Sequence, residues 1–247
     1  MSNLKAAYLN EMFKLSKKKK LAVAAILSVF AVALALLIAL SVNNFMGIRI
    51  TGAGEFSVLV LQVLSYTLIP LFTAFVCIDM FCGEVGDETI KLTLTRPVSR
   101  FKIYVAKALA AASFVLANLI FVMLLSLIAS VFIGPSAMSI GHVIGSYLGA
   151  FLPLMVFALM VMLVSNIVRG STSAFFISIV IFLAFLGLQL IFPAYESFFY
   201  TSAFGWYTLF WGSFINLSKI IRILLILLGY GTAFFAAGYY LFERKQI

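Results

Sequence analysis

Long apolar runs separated by short polar ones dominate this chain. Six runs, at about 21–42, 56–82, 104–133, 143–167, 173–193 and 219–242, are each long enough to cross a bilayer, because roughly 20 apolar residues in a helix span the hydrocarbon layer. Ahead of them, Leu4, Ala7, Tyr8, Met12 and Leu15 recur at helical spacing, with Lys5, Asn10 and Lys14 turned away. That pattern predicts a helix lying in the headgroup layer, although Leu9 and Phe13 blur the stripe. The expected fold is all-α. One domain over 1–247 forms a polytopic membrane protein of six transmembrane helices, preceded by an N-terminal amphipathic interfacial helix.

Proline, glycine and aromatic positions refine this picture. Pro70, in the second run, removes a backbone hydrogen bond and predicts a kink; Pro153 does the same in the fourth. Gly141, Gly145 and Gly149 repeat every fourth residue at the start of the fourth run. Such a small-residue ridge lets another helix approach closely. Between the last two runs, residues 194–218 carry ten aromatic rings, with Glu196 as the only charge. Aromatics this dense predict short interfacial or re-entrant helices.

Composition excludes a soluble domain. The 247 residues are 64% hydrophobic and 10% charged, with a mean hydropathy of +1.18, too little polar material to cover a surface in water. The net charge of +9 does not indicate nucleic acid, because the basic residues stand at the ends of the apolar runs, where headgroups and topology account for them. Lys17–Lys20 anchor the first span. With both termini in the cytosol, fourteen Lys/Arg lie inside and three (Arg49, Lys219 and Arg222) outside. That bias requires an even number of spans. Cys77 and Cys82 lack metal-ligand spacing and read as buried small apolar residues.

Few residues could support chemistry. His142 is the only histidine, which excludes a multi-histidine metal site. No G-x-x-x-x-G-K-[ST] occurs, so the chain has no P-loop for ATP and no cofactor of its own is expected. Asp79, the one acid within a span, is a possible intramembrane polar site together with Asn118 on the third span. The plainer reading has Asp79 snorkelling to the interface or pairing with Lys107, and Asn118, Gln62 and Gln189 bridging helices. An ion-coupled transporter needs charged groups near the midplane, and these are missing.

The longest polar interruption is 83–102, GEVGDETIKLTLTRPVSRFK. Glu84, Asp87 and Glu88 suit the first turn of a helix, and Asp87 and Lys91 stand at i,i+4 in the favourable order. Pro97 disfavours helix at Arg96 and forces a turn, and Ser99 is placed to cap the next span, with Arg100 and Lys102 at the membrane surface. A short cytosolic helix joined to two spans is the expectation. The residues Glu84, Glu88-Thr89-Ile90-Lys91-Leu92, Leu94-Thr95-Arg96-Pro97-Val98-Ser99-Arg100, Ile103 and Lys107 resemble the ABC-2 type permeases, as does the layout of the whole chain.

That resemblance implies a coupling helix on which a cytosolic ABC ATPase docks, through Glu84, Asp87, Glu88, Thr89, Lys91, Leu92, Arg96, Pro97, Ser99 and Arg100. It implies a dimer with a second permease copy or paralogue, surrounded by lipid in a bacterial plasma membrane, with ATP and Mg²⁺ held by the partner ATPase. Export by alternating access follows from the same resemblance. The competing classes are an intramembrane protease or lipid-modifying enzyme, a secondary transporter, and a peptide-binding immunity or sensor protein. The enzyme would need convergent Glu/His or Asp clusters, which the sequence lacks.

Overall fold

The computed structural model describes residues 2–46, 53–84, 99–134, 139–168, 170–210 and 217–244. The described residues are almost entirely helical and contain no strand. Among the described residues, five helices are long and apolar enough to cross a membrane: α2 (Lys19–Met46), α5 (Arg100–Ser130), α6 (Ile140–Ile167), α7 (Ser171–Ile191) and α8 (Leu217–Arg244). A bent pair, α3 (Ala53–Tyr66) and α4 (Leu68–Ile78), makes a further candidate when counted as one. The N-terminal helix α1 (Ser2–Ser16) completes the α-helices among the described residues.

The second apolar run is therefore two helices rather than one kinked helix. They meet at 43° at Thr67, three residues before Pro70. Pro70 has no N–H to give the carbonyl of Tyr66, and its ring crowds that carbonyl, so the ladder fails one turn upstream of the proline. Thr67 caps the break locally, its hydroxyl donating to the Val63 carbonyl at 2.7 Å. The run then closes in a π-helical turn, Asp79–Gly83.

Pro153 behaves differently, because α6 runs through it without a break. The carbonyl it deprives is that of Gly149, and Trp206 Nε1 donates to that oxygen at 2.8 Å. A side chain from a distant segment thus replaces the missing backbone donor, which removes one cause of a proline break.

Helix α6 lies at the centre of the bundle, with Leu154, Phe157, Ala158, Val161 and Met162 all inaccessible. It packs most extensively against α8 and also against α5 and α4. The aromatic segment forms two 3-10 helices, Pro193–Phe198 and Tyr200–Phe210. The first is exposed, but the second is driven into the bundle, burying Tyr200, Phe204, Trp206 and Tyr207 against α6, α7 and α8. The short helices expected here as interfacial or re-entrant are thus present, and the rings of the second form core.

Gly141 and Gly145 of the glycine ridge face no close neighbour among the described residues. A Cβ on Gly145 would meet nothing within 4 Å, and one on Gly141 only the Ser139 hydroxyl; of the three, only Gly149 is buried. The close approach that requires glycine occurs on α8, where a Cβ on Gly238 would collide with the Tyr104 hydroxyl.

Candidate functional site

At the end of the bundle that carries α1, three elements converge on a buried group of charges. Helix α1 supplies Glu11 and Lys14, α5 supplies Lys107, and Glu84 follows the π-helical turn. Lys107 is inaccessible, and Glu11 and Glu84 are 3% and 7% exposed. The Lys107 ammonium donates to Glu84 Oε2 at 2.8 Å, Glu11 Oε2 at 3.0 Å and the Met80 carbonyl at 2.7 Å. All three of its donors are therefore used. Lys14 donates to the other oxygens, Glu84 Oε1 at 2.7 Å and Glu11 Oε1 at 3.0 Å.

The result is a neutral ring of two carboxylates and two ammoniums, with each carboxylate bridging both lysines. Burial and geometry make this ring strongly coupled. Buried ions cost several kcal/mol each in desolvation unless paired and hydrogen-bonded, and here the pairing is complete. Burial alone would raise the Glu84 carboxyl, but the charges and hydrogen bonds of Lys107 and Lys14 outweigh it and hold its pKa below the ordinary value. Burial likewise pulls Lys14 down, while its bond to Glu84 and the charges of Glu11 and Glu84 raise it overall. Both groups stay ionised through the neutral range.

Beside the ring, Asp79 accepts from Lys20 at 2.6 Å and Lys18 at 3.2 Å. The pairing of Asp79 with Lys107 anticipated from sequence is therefore not made: Lys107 is filled by Glu11, Glu84 and Met80, and Asp79 takes Lys18, just before α2, and Lys20 in its first turn. Asp79 makes its ion pairs with Lys18 and Lys20 and not with Asn118. Asn118 is buried, and its Oδ1 has no partner among the described residues, so it does not bridge helices. That role falls to Asn166, whose Nδ2 donates to Gly238 O on α8 at 3.4 Å. Tyr147 also bridges, joining Ser126 Oγ and Ser57 O at 3.0 Å each.

The 83–102 segment is only partly described. Asp87, Glu88, Thr89, Lys91, Leu92, Arg96 and Pro97 lie outside the described residues, as does the short helix expected there. Glu84 is not on an outer face, because Lys14 and Lys107 turn it inward. Ser99 closes the start of α5 with its carbonyl, which accepts from Ile103 N at 3.2 Å, and its side chain makes no capping bond. Arg100 donates to the Glu243 carbonyl at the end of α8. Thus both described roots of the segment are tied to the bundle.

Sequence reasoning missed Glu11 and the inward role of Lys14. A signal was available: a lysine inside an apolar run needs a buried acid, and few acids lie within reach.

The model describing the ABC-2 family transporter protein matches residues 8–189, so the chain belongs to this family of membrane transport components. The match spans the whole charge ring and ends before the aromatic segment. No individually curated protein matches the chain at a significant level. A multi-pass membrane transport subunit, working in general with an ABC ATPase, is what the family and the helical architecture support together.

Proposed function

We propose that this chain is the permease of an ATP-driven exporter in a bacterial plasma membrane. It crosses the membrane six times with both termini in the cytosol and functions as a dimer with a second copy or a paralogue. A separate ATPase holds ATP and Mg²⁺ and docks on the 83–102 segment. Closure of the ATPase pulls that segment and drives alternating access.

The observation that supports this reading is the ring at the root of the segment. A pull on Glu84 is carried through Lys107 to α5 and through Lys14 to α1, so force entering one short loop moves three elements together. Arg100 extends the same connection to α8.

The buried state of Glu84 separates docking from transmission. Glu88→Ala combined with Arg96→Ala is expected to abolish co-purification of the co-expressed ATPase while membrane insertion is retained. Glu84→Gln is expected to keep co-purification and lose transport. Undiminished ATPase capture by the Glu88/Arg96 variant would remove the docking assignment.

A further inference from the structure

At the end of the bundle opposite the charge ring, a cavity of about 460 Å³ opens between α7, α8 and the two 3-10 helices. Its wall includes Glu196, Arg222 and Lys219, with the hydroxyls of Ser197 and Ser202 beside them. The three charged residues lie beyond residue 189, where the family match ends. Arg222 is stacked at 5.7 Å over the Phe198 ring, and among the described residues neither it nor Glu196 forms an ion pair. The opposite charges of Glu196 and Arg222 therefore line one cavity without an ion pair among the described residues.

The apolar surroundings identify the kind of molecule that fits. Leu190 and Ile191 at the end of α7, and Ile221 and Leu225 at the start of α8, are 80%, 70%, 54% and 64% exposed. These are faces a bilayer covers. A molecule placed here has its polar part in the cavity and its apolar part along α7 and α8, the shape of a membrane lipid at headgroup depth.

We infer that this cavity binds the headgroup of a phospholipid carrying a primary amine, of the phosphatidylethanolamine class. The phosphate lies against Arg222 and Lys219, whose guanidinium and ammonium donors suit its oxygens. The ammonium lies against Glu196, Ser197 and Ser202, which are acceptors for its three donors. A purely anionic headgroup would leave the Glu196 carboxylate facing like charge. A quaternary amine would leave the acceptors unused.

The test uses the purified full-length chain in nanodiscs of phosphatidylcholine doped equally with phosphatidylethanolamine and phosphatidylglycerol. Lipids retained on release are counted by native mass spectrometry. The wild-type chain is expected to retain phosphatidylethanolamine over both others. Glu196→Gln removes the preference over phosphatidylcholine, and Arg222→Gln lowers retention of every phospholipid, each by roughly threefold to fivefold, the range for a partly exposed charge contact. Both residues are exposed, so these variants fold. Equal retention of the three lipids by the wild type overturns the inference, as does a preference that survives both substitutions. Displacement of retained lipid by a zwitterionic peptide, with no selectivity among lipids, also overturns it. None of these readouts depends on the ATPase.

Discussion

At one end of this bundle Glu11, Lys14, Glu84 and Lys107 hold three elements together through charge, and at the other Tyr200, Phe204, Trp206 and Tyr207 do so through buried rings. Both ends join residues far apart in sequence. They differ in how a single change propagates. In the ring, every group is a partner of two others, so one deletion strands a buried ion. Among the aromatics, each ring contributes mainly its own burial, and the neighbours lose contact without gaining a charge. The charged end is therefore brittle and cooperative, and the aromatic end degrades gradually.

The sharpest break in that comparison comes from Lys107→Met. It leaves two carboxylates facing each other in a buried site and is expected to lower stability by about 3–5 kcal/mol, read as a lost or strongly lowered Tm of the purified protein. Removing the acids as well, by adding Glu11→Gln and Glu84→Gln, should recover much of that loss. If Lys107→Met alone leaves Tm unchanged, the ring is not a structural unit.

At the aromatic end, Trp206→Phe keeps most of the burial but removes the donor to the Gly149 carbonyl freed by Pro153. A cost of about 1–3 kcal/mol is expected, the range for an orphaned buried polar group. Adding Pro153→Ala restores the backbone N–H and should recover part of it. Lack of recovery would show that the tryptophan acts by packing alone.

Close packing between α5 and α8 gives a similar magnitude by another route. Gly238→Ala is expected to cost about 1–3 kcal/mol through overpacking. Tyr104→Phe removes the colliding hydroxyl, which has no hydrogen-bond partner among the described residues, and should relieve most of the penalty in the double variant.

Acidification separates the two ends in one experiment. The folded pKa of Glu84 lies below its ordinary value of 4.5, so its contribution is present above about 4.5 and is lost as pH falls through the lowered folded value. Lys14, raised above 10.5, contributes below that value and loses its contribution as pH rises through the raised one. Hydrogen exchange should therefore increase first around α1 and the start of α5 in strong acid, with the second 3-10 helix still protected. The smallest effect belongs to Asp79→Asn. Its lysine partners are 34% and 53% exposed, which limits the change to under about 1 kcal/mol, detectable as a small Tm shift that shrinks in high salt.

Much of the fold was legible along the chain. The apolar runs gave the helices to within a few residues, and Pro70 correctly marked the second run as disturbed. Its break is sharper than a kink because the proline affects the carbonyl four residues earlier. Pro153, identical by the same local rule, left its helix unbroken, since Trp206 lies 53 residues away and only folding brings it to Gly149. The glycine ridge carries less information for a related reason: small residues permit close approach without saying which helix makes it.

By itself the sequence determined that this is a helical membrane protein with a lysine-rich side and a single long polar loop. Those features are set by the length of apolar runs and by the cost of placing charge in lipid. Tertiary structure alone decided which face of each helix turns inward and which ions meet. In lipid, apolar residues suit both a helix's outer and inner faces, so hydrophobicity carries no inward signal. The pairing of Lys107 with Glu11, 96 residues apart, depends on where α1 packs, and no local pattern encodes that.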